Sequence, residues 1–189
     1  MKNIAIFASH NGSGFDAILE AIKAKELNLN IALVVSNNTD APVLTKAKAN
    51  AIAHYLVNAK TGSNTTTTLH ELLLQHNCKY IFLSGYMKKL DAQITQNFSV
   101  LNSHPSLLPS YGGNGMYGHR VHEAVIRNKE PMSGVSIHEV NEEYDSGKII
   151  LQKSLSLQKD ETATSLETKI KALEKVAIVE ALREYLCIS

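Results

Sequence analysis

The chain has 189 residues, 44% of them hydrophobic and 20% charged, and is read as one globular domain spanning 1–189, neither a disordered polyampholyte nor a membrane bundle. Nineteen Lys and Arg against eighteen Asp and Glu leave a net charge of +1. A phosphate-backbone binder shows a basic excess, so no nucleic-acid partner is expected.

Ile4 to Ala8 is a continuous apolar run that stops at Ser9-His10-Asn11-Gly12-Ser13-Gly14, the pattern of a buried strand entering a turn. Phe15, Ile18, Leu19 and Ile22 follow at i, i+3, i+4 and i+7 and predict a helix with that apolar face. Ile31 to Val35 predicts a second strand, Pro42 to Asn50 a helix with Pro near its start, and Ala53 to Leu56 a short third strand. Ala59 to Thr68 is polar, with a Thr65 to Thr68 run, and reads as a loop or helix approach. Leu69, Leu72 and Leu73 give a helix ending near Asn77, and Tyr80 to Leu83 the next strand.

Asp91 to Asn97 reads as a short helix and Val100-Leu101 as a very short strand; beyond a Gly-rich loop, Val121 to Asn128 is a further helix. Val135 and Ile137 alternate with polar neighbours, as do Leu151, Leu155 and Leu157, predicting longer, half-exposed, antiparallel strands. Leu166, Ile170, Leu173 and Ala177 predict a last helix, with Thr164-Ser165-Leu166-Glu167 as its capping box. Alternating strands and helices imply an α/β fold: a Rossmann-like, mostly parallel sheet with helices on both faces and antiparallel strands toward the C-terminal part. Cys78 and Cys187 lie far apart, the first residues lack a signal peptide's apolar length, and no apolar run approaches the roughly 20 residues of a spanning helix. A reducing, cytoplasmic setting without a membrane is the expectation.

Three stretches carry candidate chemistry. Small residues at Ser9 to Gly14 let a ligand approach the backbone where a helix begins, which favours an anion or is simply a tight turn. The spacing is not G-x-G-x-x-G, and no Walker lysine follows. Asn102-Ser103-His104-Pro105-Ser106-Leu107-Leu108-Pro109 lies just after the predicted short strand, where open parallel sheets bind ligands. In extended chain an amide and an imidazole two residues apart point to one side, so Asn102 and His104 can converge. Asp145-Ser146-Gly147 places a carboxylate in an acidic loop; spacing alone does not bring it to His104.

The octapeptide Asn102 to Pro109 with the downstream Asp145-x-Gly147 resembles the folate-dependent formyltransferases, from residue 2 to about Leu182. Within that family, the Asn11-Gly12-Ser13 turn and the chain length resemble the members that formylate glycinamide ribonucleotide. The resemblance implies a catalytic set of Asn102, His104 and Asp145. It implies ribonucleotide contacts at Gly12, Ser13, Gly14, Lys171, Ala172, Leu173 and Glu174. Folate contacts are implied at Met87, Lys88, Lys89 and Leu90, at Asn102, and in the loop Asn141, Glu142, Glu143, Tyr144 and Asp145. The co-substrate implied is 10-formyltetrahydrofolate, with no metal, small-molecule partners only, and a monomer or homodimer. The runner-up activities are formyltetrahydrofolate hydrolysis and formyl transfer to an amino sugar or to tRNA; outside enzymes, a nucleotide-binding module.

The chain departs from the family pattern in three places. Gly14 stands where members usually have Asn, no arginine occurs between Asn58 and Thr68, and the loop Ser110 to His119 is long and Gly-rich. Lys60 or Lys88 is the substitute cation, although Lys lacks the bidentate geometry of Arg. In the implied mechanism Asn102 and protonated His104 stabilise the developing oxyanion, with Asp145 favouring the imidazolium. His119, Arg120 and His122 form either an anion-binding trio or a solvated helix start. His10 is a candidate to help bind the anion, while His54, His70, His76 and His138 show no metal-ligand spacing.

Overall fold

The computed structural model describes residues 1–61 and 64–188, with side chains to Leu186; Gly62 and Ser63 of the polar stretch, and the Cys187 thiol, lie outside the described residues. The elements run β1 (Lys2–Phe7), α1 (Ser13–Lys23), β2 (Leu29–Ser36), α2 (Pro42–Ala49), β3 (His54–Leu56), α3 (Thr65–Gln75), β4 (Tyr80–Leu83), α4 (Ala92–Asn97), β5 (Ser99–His104), α5 (His119–Arg127), β6 (Met132–Glu139), β7 (Ile149–Ser156) and α6 (Ala163–Ile188). The strand order is β3-β2-β1-β4-β5-β6-β7, an α/β sheet in which β1 pairs in parallel with β2 and β4, β2 with β3, and β6 antiparallel with β7. The chain divides into two compact units, Met1–Leu101 and Asn102–Ser189.

In the first unit the central strands are buried along most of their length: Ile4, Ile6, Phe7, Leu33, Val34 and Phe82 are each at most 1% exposed. That two-sided burial is what helices on both faces of a parallel sheet impose. α1 buries Phe15 and Ile18 as expected, but the rest of its buried face is Gly14, Ala17 and Ala21, with Leu19 and Ile22 half-buried. Reading only large apolar residues misses a face made of small ones. Pro42 opens α2, where its missing N–H removes no helical bond. Asn64 caps α3 by accepting from Thr67 N–H at 3.1 Å, so Thr65 to Thr68 are the helix's first turn and not a loop.

In the second unit β6 is buried from Ser133 to His138, a correction to the expected half-exposed strand; β7 alternates as predicted. Their ladder shifts register between Ile137 and His138, and bulges of this kind re-aim side chains near sites. α6 packs Leu166 and Ile170 against Val125, with Tyr111, Leu155 and Leu157 at the edge of that cluster. Its cap lies two residues before the predicted box: Ser165 N–H donates to Thr162 Oγ1 at 3.1 Å and Thr162 N–H to Ser165 Oγ at 3.0 Å. Glu167 instead pairs with Lys171 and His119. Among the described residues no helix is long and apolar enough to cross a membrane.

Candidate active site

β5 continues through His104, four residues longer than the two-residue strand predicted at Val100-Leu101 once Ser99 is included, so Asn102 and His104 lie on the strand itself. Alternation puts both on one side and Ser103 on the other. His104 is 4% exposed. Its Nε2–H donates to the Tyr111 carbonyl at 2.7 Å, and its Nδ1 stands 3.5 Å from Asp145 Oδ2. The other carboxylate oxygen, Oδ1, is 3.5 Å from His138 Nε2. His138 commits Nδ1–H to the Glu139 carbonyl at 2.8 Å, so Nε2 of the neutral ring accepts from Asn102 Nδ2 at 3.2 Å. The arrangement is a carboxylate with an imidazole at each oxygen, each ring holding its far nitrogen on a main-chain carbonyl. Asn102 Nδ2 keeps a second hydrogen for another acceptor.

The loop that carries Asp145 is shaped for this. Asp145 has φ +55°, a left-handed backbone that Asp tolerates better than most residues. Its Oδ2 accepts from Gly113 N–H at 2.9 Å. At Gly147 a Cβ would collide with the main chain of Glu139, so the Asp-x-Gly spacing lets the loop close on the end of β6. On the other side, Ser136 Oγ donates to the Ser106 carbonyl at 2.7 Å and accepts Leu108 N–H at 2.9 Å. Gln152 Nε2 donates to the Leu108 carbonyl at 2.9 Å, fixing the segment after His104 to β6 and β7.

Burial pushes the His104 imidazole below its usual range; Asp145 and the Tyr111 carbonyl pull it up without cancelling that, and His138 adds to the fall. The imidazole is therefore favoured neutral, a correction to the expectation that Asp145 keeps it charged. Burial raises the Asp145 carboxyl, but His138, His104 and the Gly113 N–H outweigh it and hold the acid below its ordinary range. A proton entering the cluster at His104 meets a ring nitrogen, Nδ1, that faces the Asp145 carboxylate.

In the first unit the turn after β1 makes a second constellation. Gly12 has φ +66°, and a Cβ there would stand 2.6 Å from Val43 Cγ2. Gly14 N–H donates to Ser84 Oγ at 2.8 Å, and a Cβ at Gly14 would meet Phe82 Cε1 at 2.8 Å. The Asn usual at this position has no room here. Buried Ser9 ties the turn to two neighbours, donating to Asn37 Oδ1 at 2.5 Å and accepting Met87 N–H at 2.7 Å. Ser9, His10, Asn37, Asn38, Asn58 and Lys60 are among the residues lining a cavity of about 440 Å³ at the carboxyl ends of β1, β2 and β3. Such strand ends are the ligand-binding edge of open α/β sheets.

The match to the family model described as "Formyl transferase" runs over residues 2–182. The chain belongs to the formyl transferase family. It is 35% identical over 191 residues to the chloroplastic phosphoribosylglycinamide formyltransferase of Vigna unguiculata, which takes in 97% of this chain and 61% of that protein. It is 32% identical over 179 residues to the Bacillus subtilis phosphoribosylglycinamide formyltransferase, 92% of this chain and 89% of the relative. The crystal structure of phosphoribosylglycinamide formyltransferase from Bacillus halodurans superposes with a TM-score of 0.89 at 30% identity, over 98% of this chain and 95% of that one. The chain thus spans less than two thirds of the length of the plant relative.

The remaining positions expected from the formyltransferase pattern fall as follows. Met87 is exposed, Lys88 and Lys89 are exposed, and Leu90 is buried. Asn141 Oδ1 accepts from Glu143 N–H at 2.9 Å and Ser146 Oγ at 3.0 Å, holding an otherwise exposed Asn141 to Tyr144 turn that leads into Asp145. On α6, Lys171 and Ala172 are exposed and Leu173 half-buried; Lys171 pairs with Glu167 at 2.5 Å. Together with His119 this holds the Glu167 carboxyl down at about 2. Glu174 is not part of that surface network: it accepts from Ser103 Oγ at 2.6 Å, and burial raises its carboxyl.

His138 has no metal-ligand spacing in the sequence; its signal is strand alternation, two residues beyond buried Ser136 on β6. The solvated-start reading of the basic trio is half right. His119 and Arg120 are exposed, the first paired with Glu167 and the second over the Tyr117 ring, but His122 is 3% exposed, with no hydrogen-bond partner at Nδ1 among the described residues. Among the described residues no group of three His, Cys, Asp or Glu side chains is arranged to hold a metal ion.

Proposed function

We propose that this formyltransferase moves the formyl group of 10-formyltetrahydrofolate to the primary amine of glycinamide ribonucleotide, giving formylglycinamide ribonucleotide and tetrahydrofolate, a step of purine synthesis. The observation that carries the reading is the carboxylate of Asp145 set between His104 Nδ1 and His138 Nε2, with Asn102 on the same group. The names of the Bacillus relatives, phosphoribosylglycinamide formyltransferase, support the same formyl acceptor. The reading needs no metal, and takes Gly12 to Gly14 with Lys171 to Glu174 as ribonucleotide contacts. Met87 to Leu90 and Asn141 to Asp145 are its folate contacts. It places the protein in the cytoplasm as a monomer or homodimer.

In this mechanism the amine attacks the formyl carbon directly. The carbonyl oxygen becomes anionic, and the second Asn102 Nδ2 hydrogen is a donor to it; one such donor is worth about 10² to 10³ in rate. The proton lost by the attacking nitrogen is taken at His104 Nδ1, since Nε2 is committed to Tyr111. It ends on the departing folate nitrogen when the C–N bond breaks. Asp145 stabilises the transient imidazolium that burial disfavours at rest. Acid-base help of this kind supplies roughly 10² to 10⁴.

The test mixes purified protein with 10-formyltetrahydrofolate and candidate amines and follows tetrahydrofolate release. Release dependent on glycinamide ribonucleotide is the expected result. Release without any amine identifies a hydrolase, and tight ribonucleotide binding with no folate turnover identifies a binding module.

A further inference from the structure

The Gly-rich loop after β5 enters the site through three consecutive residues. The Tyr111 carbonyl accepts from His104 Nε2 at 2.7 Å, and Gly113 N–H donates to Asp145 Oδ2 at 2.9 Å. Between them, Gly112 lies so close that a Cβ would stand 2.6 Å from Leu108 Cδ2 and 3.2 Å from Asp145 Cβ. The segment is a strap touching both members of the catalytic pair. Tyr111 has φ +58°, a left-handed backbone that an aromatic residue seldom adopts, so its surroundings must hold it there.

The side chain supplies that hold. Tyr111 Oη donates to Glu130 Oε1 at 2.6 Å and accepts from Asn128 Nδ2 at 2.8 Å, while its ring packs on the Val125, Leu166 and Ile170 cluster. Asn128 is the residue that ends α5. The phenol is thus clamped at one helix end while the carbonyl of the same residue meets His104.

We propose that Tyr111 is a positioning residue for formyl transfer: its phenol, clamped by Glu130 and Asn128, holds the strap that keeps the His104 proton on Nε2 and leaves Nδ1 to Asp145. The proposal rests on the reading of His104 and Asp145 as the catalytic pair. A ring whose Nε2–H donates to a carbonyl presents a bare Nδ1 when neutral. Releasing the strap frees the other tautomer, in which Nδ1 carries the proton before substrate arrives and is no longer a proton acceptor. The groups facing His104 are Asp145, His138 and the Tyr111 carbonyl, with His122 within electrostatic range. Those facing the phenol are Glu130, Asn128 and Arg127.

The experiment reads the His104 tautomer by ¹⁵N NMR in the wild type, Tyr111→Phe, Glu130→Ala and Glu130→Gln, alongside formyl-transfer kinetics over pH. The wild type is expected as the Nε2–H form. Tyr111→Phe and Glu130→Ala should show a mixture of tautomers, a kcat lower by about tenfold, as for one lost charged-group hydrogen bond, and a displaced acid limb of the pH profile. KM for both substrates should stay within about twofold, because the strap acts on the proton acceptor and not on binding. Glu130→Gln keeps an acceptor oxygen for the phenol and should restore most of the rate. An unchanged Nε2–H tautomer in both Tyr111→Phe and Glu130→Ala overturns the proposal whatever the rate does. A wild type with this tautomer but no formyl transfer would overturn the functional reading instead.

Discussion

Two glycine-bearing segments look alike in the sequence and differ in what the glycines are for. In the turn Gly12 to Gly14 both glycines are enclosed: a Cβ at either would press within 2.9 Å of a packed side chain. In the loop Tyr111 to Gly118, Gly113, Gly115 and Gly118 have nothing among the described residues within 4 Å of an added Cβ, and only their positive φ distinguishes them. The first segment packs into the core, and Gly14 N–H is held by a neutral partner, Ser84. The second is a surface loop except at its beginning, where its partners are the ionisable His104 and Asp145. A run of glycines therefore carries packing in one place and backbone shape in the other.

The sharpest way to break that contrast is substitution. Gly14→Val should destabilise by about 2 kcal/mol, the range for forcing extra methyl groups into a filled site. Gly115→Ala meets no neighbour and should lose only about 1 kcal/mol, the penalty of a Cβ in the left-handed region. Equilibrium urea unfolding of both variants measures the difference; equal losses would mean that the enclosed turn relaxes freely.

Acid should separate the two segments more gently. His104 has a folded-state pKa below its ordinary 6.5, so its neutral form contributes stability that is present above 6.5 and lost as pH falls below it. Buried His122 is shifted the same way, whereas Asp145, held below 3.8, adds loss only in stronger acid. Glu174 has the opposite sign, since its raised pKa favours the protonated folded state below the ordinary 4.5. Between pH 7.5 and 5.5 the histidines dominate, and His104→Gln should shrink the fall in Tm by about 2 °C. A fall as large as the wild type's would show that folding does not shift the His104 pKa.

Much of the fold was legible because the signals were local. Continuous apolar runs located β1, β2 and β4, Pro42 marked α2, and alternation marked β7. The errors came from what sequence distance hides. The buried small face of α1, the burial of β6 from Ser133 to His138 and the extension of β5 through His104 all depend on neighbours that only the packed sheet supplies. At the site, family resemblance named Asn102, His104 and Asp145; His104 and Asp145 face each other, and Asn102 reaches them through His138. It did not name His138, which alternation along β6 places two residues beyond Ser136, nor the Tyr111 carbonyl, which is a main-chain atom. The charge state of His104 was misread because a nearby carboxylate was weighed without the burial that opposes it.

The central claim is that Asp145, between two imidazoles, serves proton transfer and not substrate holding. The direct measurement is steady-state formyl transfer to glycinamide ribonucleotide by Asp145→Asn, with kcat and both KM values. Removing the charge while keeping the shape should lower kcat by about 10² or more, within the span of acid-base catalysis, with KM changed by less than about threefold. A variant with near-normal kcat and a raised KM for folate would contradict the account and leave Asp145 as a binding residue.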